Sequence, residues 1–221
     1  MPLPDLTATL KINEIFFSIQ GESTFAGRPC VFVRLTACDL RCTYCDTAYA
    51  FYEGIKRTIA DILGEVRSHN CPLVEVTGGE PLLQPNVHPL MQALCDEGNT
   101  VLIETSGAHN IGQIDPRVRR IMDLKCPDSG ESHRNLTENL PLLNHQDEVK
   151  FVVGSEKDYV WARDQIRRGG WSKRVNAVLI SPVFGKITPL DLATWILADN
   201  LEVRMQLQMH KLIWDPNKRG V

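Results

Sequence analysis

The stretch that decides the fold reads Val31-Phe32-Val33-Arg34-Leu35-Thr36-Ala37-Cys38-Asp39-Leu40-Arg41-Cys42-Thr43-Tyr44-Cys45. Its first five residues are mostly apolar and predict a buried strand. Three cysteines follow with the spacing C-x3-C-x2-C, and no fourth cysteine lies near them in register. Three thiolates on one short loop can bind three irons of a cubane 4Fe-4S cluster, which leaves one iron open to a small-molecule ligand. We therefore predict that Cys38, Cys42 and Cys45 bind such a cluster directly after a core strand.

Two other uses of these cysteines are open on the residues alone. The three thiols could bind a tetrahedral zinc ion, with Cys30 or a distant histidine as the fourth ligand. They could also belong to a disulfide framework, although the chain has 7 cysteines, an odd number, and nothing in it suggests export. The cluster is favoured because further motifs in the chain support it independently.

Length and charge narrow the class of protein. A chain of 221 residues is expected to form one domain over residues 1–221 with a large core. The net charge of -3 and the isoelectric point of about 6.1 predict no nucleic acid partner. The N-terminal segment has no continuous apolar run, so neither a signal peptide nor a membrane span is predicted. We expect a cytoplasmic protein, whose reducing surroundings suit thiolate ligands.

Short apolar runs alternate with amphipathic segments along the chain. Strands are predicted at residues 31–35, 73–77, 101–104, 121–124, 149–153, 177–180 and 202–207. Helices are predicted at 58–67, at 87–97 before Gly98, at about 157–168 before Gly169-Gly170, and from near Pro189. The alternation favours a mostly parallel sheet. A full eightfold barrel typically needs about 250 residues, so we predict an α/β fold, a partial (β/α) barrel of about six mostly parallel strands.

Polar segments follow three of these strands, where the chemistry of such folds is located. Thr77-Gly78-Gly79-Glu80-Pro81 follows the second strand, and its glycines would let the backbone approach a ligand closely. Glu104-Thr105-Ser106-Gly107 ends the third strand, and Asp123-Leu124-Lys125-Cys126-Pro127 ends the fourth. A tight turn and a polar strand end are the alternative interpretations of the first two segments.

The cysteine loop, with an aromatic residue before its third cysteine, together with the Gly-Gly-Glu-Pro segment resembles the radical-SAM superfamily. The resemblance implies a radical-SAM type of barrel in which S-adenosylmethionine (SAM) chelates the open iron of the cluster. It also implies that the cofactor is contacted by residues in and after the strands, namely Tyr44, Gly79, Glu104, Asp123, Leu124 and Lys125.

A narrower resemblance covers essentially the whole chain. The segments that carry it, by residue number, are 14–22, 27–29, 31–35, 45–47, 210–214 and 218–221, and they look like those of the 7-carboxy-7-deazaguanine synthase family. Two departures are visible, since Ser23 and Ala37 stand where that family commonly has glycine. Neither departure removes a reactive group.

The resemblance implies a radical-mediated ring contraction of 6-carboxy-5,6,7,8-tetrahydropterin to 7-carboxy-7-deazaguanine with loss of ammonia, within queuosine biosynthesis. It implies Thr47 as a Mg2+ ligand and a flavodoxin or ferredoxin-type electron donor, and it predicts a homodimer. The residues expected at the substrate are Ile19, Gln20, Gly21, Arg34, Thr77 and Val221, the last through its carboxylate.

Some assignments stay open. Arg34 ends a buried strand and needs an anionic partner, which is either the substrate carboxylate or a protein carboxylate. The rival enzyme class is a glycyl-radical activating enzyme, which shares the cysteine spacing, and the non-catalytic rival is a zinc-binding domain.

Cys71 and Cys95 are interpreted as packing or surface thiols and Cys30 as structural. Cys126 is interpreted as a loop residue rather than a ligand, and His210 is left unassigned.

Overall fold

A computed structural model describes residues 3–221 and contains one nine-stranded sheet with the order β3-β1-β2-β4-β5-β6-β7-β8-β9. The strands are β1 (Thr9–Ile19), β2 (Pro29–Leu35), β3 (Ile55–Thr58), β4 (Leu73–Gly78), β5 (Thr100–Thr105), β6 (Arg119–Asp123), β7 (Glu148–Val153), β8 (Ala177–Pro182) and β9 (Arg204–Met205). From β2 through β9 every neighbouring pair is parallel, whereas β1 is antiparallel to both β2 and β3. The sheet does not close, which confirms the predicted partial barrel.

Helices connect most of the parallel strands. They are α1 (Ile59–Ser68), α2 (Val87–Asp96), α3 (Glu156–Gly169), α4 (Pro189–Ala198) and the short α5 (His210–Ile213). Thr58 and Thr188 each form a capping box with the aspartate three residues later, which satisfies backbone donors at the starts of α1 and α4. The predicted helices are confirmed to within about two residues at their ends.

The two faces of the sheet differ in character. One face packs against the helices through alternating apolar residues such as Val74, Val76, Val149 and Phe151, and this packing forms the main core. The opposite face carries a small apolar cluster of Cys30, Phe32, Leu73, Leu102 and Ile121. Polar side chains continue this second face toward the carboxyl ends of the strands, where the candidate site lies.

The strands and helices absent from the sequence prediction are β1, β3 and the short α5, and the last strand is shorter than predicted. Residues of β3 are exposed or half-exposed at the edge of the sheet, so they carry little apolar signal. The strand predicted at 202–207 is only Arg204–Met205. Cys30 is buried in the small apolar cluster and Cys126 in the main core, in agreement with structural roles. Within residues 3–221, no helix has the length and apolar character that a membrane span needs.

Candidate active site

A cavity of about 970 Å3 opens at the carboxyl ends of the parallel strands. Its lining combines the cysteine loop, the segments after β1, β4, β5 and β6, and the end of the chain at 216–221. All the residues predicted from the sequence line it except Leu124: they are Cys38, Cys42, Cys45, Tyr44, Thr47, Gly79, Glu104, Asp123, Lys125, Ile19, Gln20, Gly21, Arg34, Thr77 and Val221. The fold therefore brings segments from the whole length of the chain to one space.

The cysteine loop is held in place by its neighbours. The Thr43 amide donates to the Ser129 carbonyl at 3.0 Å, and the Arg41 amide donates to Glu131 Oε1 at 2.7 Å. Burial raises the pKa of Cys42 to about 11 and also raises the pKa values of Cys38 and Cys45. Thiols in such surroundings become ligands only when a cationic centre displaces their protons, and an iron-sulfur cluster provides such a centre.

The spacing of the three thiols does not suit a single metal ion. No three His, Cys, Asp or Glu side chains among residues 3–221 are gathered closely enough to hold one ion. A cubane differs in this respect, because each of its thiolates binds a separate iron. Cys30, the fourth zinc ligand considered from the sequence, is fully buried in the apolar cluster and lies outside the cavity lining. The three thiols of the loop, in contrast, all line the cavity.

The Gly-Gly-Glu-Pro segment is packed tightly against the cysteine loop. The Glu80 amide donates to the Ala37 carbonyl at 2.8 Å. A Cβ atom at Gly79 would lie 2.3 Å from the Ala37 oxygen and 2.7 Å from the Cys38 Cβ, so only glycine fits there. The Glu80 carboxylate is fully buried and accepts hydrogen bonds from Thr105 and Ser106. Glu80 therefore fixes this segment and β5 relative to each other and does not face a ligand.

Residues after β6 supply an unpaired polar group. Asp123 Oδ2 accepts from Lys125 Nζ at 2.9 Å, but Asp123 Oδ1 is buried without a partner within residues 3–221. A buried carboxylate oxygen with no partner is costly, so this atom indicates a ligand with hydrogen-bond donors in the cavity. Leu124 packs in the main core and its amide donates to the Lys150 carbonyl, so its side chain is not available to a cofactor.

Arg34 already has a protein partner. Its Nε donates to Glu14 Oε1 at 2.8 Å, and its guanidinium lies over the rings of Phe16 and Tyr49. Of the two partners considered from the sequence, the protein carboxylate is present, since β1, absent from the sequence prediction, provides Glu14. The two terminal nitrogens of Arg34 make no hydrogen bond within residues 3–221 and remain available to a carboxylate.

Gly21 lies against His210, which the sequence left unassigned. A Cβ at Gly21 would fall 2.3 Å from His210 Nδ1, so glycine lets the imidazole approach the chain after β1. The Met209 amide also donates to the Gly21 carbonyl at 3.0 Å. His210 lines the cavity, and burial lowers its pKa, which favours the neutral ring. It is therefore part of the cavity wall and not a core histidine.

A charged cluster at the cavity was not found from the sequence. Lys150 Nζ on β7 donates to Glu22 Oε2 at 2.8 Å and also to Glu104. Gln20 Nε2 donates to Glu75 on β4. The sequence does contain a signal that could have predicted this cluster. Three of the apolar strands are each interrupted by a charged residue, namely Glu75, Glu104 and Lys150.

Thr47 follows the last cluster cysteine. Its hydroxyl donates to Asp46 Oδ1 at 2.9 Å, and Asp46 Oδ2 accepts from Lys211 Nζ at 2.6 Å. Lys211 holds the pKa of Asp46 well below its usual range, although burial opposes the shift. These contacts tie α5 to the cysteine loop, and the loop, Thr47 and residues 216–221 all line the cavity.

Comparison with known proteins agrees with this geometry. Residues 33–128 match the radical-SAM superfamily. The chain is 50% identical over 217 residues to a 7-carboxy-7-deazaguanine synthase of Chlorobaculum tepidum, covering 97% of this chain and 98% of that one. It is 45% identical to the enzyme of the same name from Koribacter versatilis, covering 96% and 100%.

The chain belongs to the 7-carboxy-7-deazaguanine synthase family. The crystal structure of QueE from Escherichia coli matches its fold with a TM-score of 0.75 at 24% identity, over 91% of this chain and 95% of that one. Membership makes the protein a radical-SAM lyase whose cofactors are a 4Fe-4S cluster and SAM. It decides against the glycyl-radical activating enzyme and the zinc-binding domain considered above.

Both departures from the family's glycines fall where the backbone favours glycine. Ser23 has φ 66° and Ala37 has φ 84°, in the left-handed region. A residue with a Cβ is strained there by roughly 1 kcal/mol.

Proposed function

We propose that this protein converts 6-carboxy-5,6,7,8-tetrahydropterin to 7-carboxy-7-deazaguanine and ammonia. The observation that carries the proposal is a cavity at the ends of β2, β4, β5, β6 and β7 that brings the expected residues together. The three thiols, the Gln20 segment and Arg34 all line it. Family membership supports the same reaction.

The residues present fit both cofactors. Cys38, Cys42 and Cys45 would hold the cluster, and Gly79, which packs against Cys38 because it has no Cβ, lines the cavity beside them where SAM would bind. Asp123, Glu104 and Lys125 also line the cavity and would contact the cofactor. When bound, the reduced cluster and SAM supply the organic radical that begins the ring contraction.

The protein's own part is to bind and orient the substrate. The free terminal nitrogens of Arg34 would bind its carboxylate as a planar fork, while Glu14 holds the guanidinium from the other side. Ile19, Gln20 and Gly21 would contact the edge of the bicycle, largely through backbone groups, and Thr77 would add a hydroxyl. The aromatic rings of Phe16 and Tyr49 lie beside Arg34 and restrict its side chain.

The decisive experiment is incubation of the anaerobically reconstituted protein with SAM, a reductant and the carboxypterin. Formation of 7-carboxy-7-deazaguanine and ammonia in equal amounts, with SAM not consumed in net terms, is the expected result. SAM cleavage without this product would refute the proposed substrate and leave the radical-SAM assignment standing.

We also propose a flavodoxin or ferredoxin-type protein as the electron donor and a homodimer as the assembly.

A magnesium ion would complete the site beside Thr47. One hydroxyl is a weak site alone, but Mg2+ fills its octahedron readily with water and a substrate carboxylate. We expect Thr47→Ala to remove most of the stimulation of turnover by added Mg2+ and to leave the cluster spectrum unchanged. Thr43→Ala is the matched control, since this loop threonine lies outside the cavity lining. Equal magnesium dependence in parent and Thr47→Ala would exclude Thr47 as a ligand.

The end of the chain is the other substrate contact that can be tested. Val221 lines the cavity, and Arg219 packs over the Tyr49 ring at 4.0 Å, which holds the segment in place. The Val221 carboxylate would accept hydrogen bonds from the N–H groups of the pterin. Deleting Gly220 and Val221 would leave those donors unpaired and raise KM by about tenfold or more.

Two measurements control for damage elsewhere in this deletion variant. Cluster content and uncoupled SAM cleavage should stay near the parent values, because the deleted residues do not touch the cysteine loop's thiols. Leu212→Ala, at an exposed residue of α5 outside the lining, should leave KM unchanged. An unchanged KM in the deletion variant would show that residues 220 and 221 do not bind the substrate.

A further inference from the structure

Glu75 has a position that the reaction described so far does not use. It lies in the middle of β4, is only 3% exposed, and lines the cavity. Its inward neighbours are Glu22, Glu104 and Lys150, which form the ion-paired cluster described above. Glu75 is therefore a carboxyl group at the cavity in surroundings that already contain two other carboxylates.

The charges around Glu75 do not balance if all three glutamates are ionised. Lys150 donates to Glu22 and to Glu104, so one ammonium group serves two carboxylates. Glu75 has no cation in contact within residues 3–221, and its partner is the neutral amide of Gln20. Burial first, and then the charges of Glu104 and Glu22, raise the pKa of Glu75 well above its usual value, against the opposing effect of Lys150. Of the three glutamates, Glu75 is thus the one that has no cation in contact in the described part of the chain, and its surroundings favour the protonated form.

The hydrogen bonds also locate its proton. Gln20 Oε1 accepts from the Glu22 amide at 3.0 Å, which fixes the orientation of the Gln20 side chain. Gln20 Nε2 consequently donates to Glu75 Oε2, and an oxygen that accepts from this amide does not also donate to it. The proton belongs on Oε1, which makes no hydrogen bond with any residue from 3 to 221 and is not among the sealed, unpaired atoms of that range.

We propose that Glu75 is a catalytic acid, which donates the proton of Oε1 to the departing nitrogen of the substrate. This role rests on the proposed function, because only a reaction that releases ammonia needs it. The carbon–nitrogen bond breaks with its electron pair going to nitrogen, and that nitrogen takes the proton and leaves as ammonia. The ring proton released as the five-membered ring becomes aromatic then returns to the Glu75 carboxylate. No oxidant or reductant is needed in this step.

The test is Glu75→Gln in the cluster-loaded protein. Glutamine keeps the shape and can still bond to Gln20, but it cannot transfer a proton. We expect 7-carboxy-7-deazaguanine formation to slow by about a hundredfold or more, with substrate affinity and SAM cleavage retained. Glu148→Gln is the matched control, since Glu148 is also a buried glutamate but accepts from Thr24 and lies outside the cavity lining. It should keep the parent rate.

The protonation of Glu75 has readouts of its own. The infrared carbonyl stretch of a protonated carboxylic acid should be present in the parent at pH 7 and absent in Glu75→Gln. The folded protein raises the pKa of Glu75 above its value in the unfolded chain, which is about 4.3, so the parent should lose stability relative to Glu75→Gln as pH rises. The Tm difference should therefore move in favour of the variant between about pH 5 and pH 8.

The outcomes separate the inference from the function it rests on. A parent that forms no 7-carboxy-7-deazaguanine refutes the proposed function. A productive parent with a Glu75→Gln variant of equal rate, or a parent without the infrared band, overturns the role of Glu75 alone. If Glu75→Gln does not fold, Glu75→Asp retains the acid one methylene farther away. It should form product more slowly than the parent while retaining the band, and a parent-like rate would contradict the proposal.

Discussion

Cys45→Ala is expected to abolish the brown chromophore of the anaerobically purified protein and all cleavage of SAM. The remaining two thiols would leave two irons of the cubane without protein ligands, and a cluster of this kind depends on three. Loss of iron and sulfide to background is the expected measurement, together with no detectable 5'-deoxyadenosine or methionine. Cys38→Ala and Cys42→Ala should behave in the same way, since all three thiols line the cavity.

The chain offers controls for this loss. Cys71 and Cys95 are half-buried, lie outside the cavity lining and pack at the edge of the main core. Replacing either with alanine should leave iron content and SAM cleavage at the parent level, with at most a modest loss of stability. Retention of a full complement of iron by Cys45→Ala would show that this loop does not ligate the cluster as assigned.

The parallel part of the fold is predictable because its signals are local. Buried strands such as Val149 to Val153 are nearly continuous apolar runs, and Thr58 and Thr188 mark the starts of α1 and α4 as capping residues. The strand β1 has a weaker local signal. Leu10 and Ile12 alternate with the polar residues Lys11 and Asn13, but the following residues are only half-buried, and the strand is completed by pairing with β2 and β3. This pairing is a tertiary effect, which a local pattern records only in part.

The residues of the site also divide into those that the sequence identifies and those that only the structure identifies. The cysteines and the Gly-Gly-Glu-Pro segment are recognised by their spacing, so the sequence alone identifies them. The partners of these residues come from afar: Glu14 reaches Arg34 across β1 and β2, and Glu22 reaches Lys150 across 128 positions in the chain. Long-range ion pairs of this kind decide whether a buried charged side chain is left free to bind a ligand or is already bound to another side chain. The assignment of Arg34 needed the structure for that reason.

The close contact at Gly79 leads to the second large effect. We expect Gly79→Ala to disrupt the arrangement of the cysteine loop, because the new Cβ would lie 2.3 Å from the Ala37 carbonyl oxygen and 2.7 Å from the Cys38 Cβ. Backbone cannot move aside as cheaply as the tip of a side chain, and overpacking of this kind costs about 1–3 kcal/mol. The displaced segment also borders the space assigned to SAM. Its affinity should therefore fall by about tenfold or more.

Gly64→Ala is the matched control for this substitution. Gly64 lies in α1, and the nearest atom to a Cβ there is Arg67 Nη2 at 3.9 Å, so the methyl group meets open space. In a helix interior alanine is favoured over glycine by roughly 1 kcal/mol, so this variant should melt at a slightly higher temperature and bind SAM as the parent does. Equilibrium binding of SAM to the cluster-loaded protein, with iron content measured in parallel, separates the two effects of Gly79→Ala. Parent-like SAM affinity and iron content in Gly79→Ala would mean that the loop can retreat from the new methyl group, and that Gly79 is not needed to bring the Gly-Gly-Glu-Pro segment against the cluster.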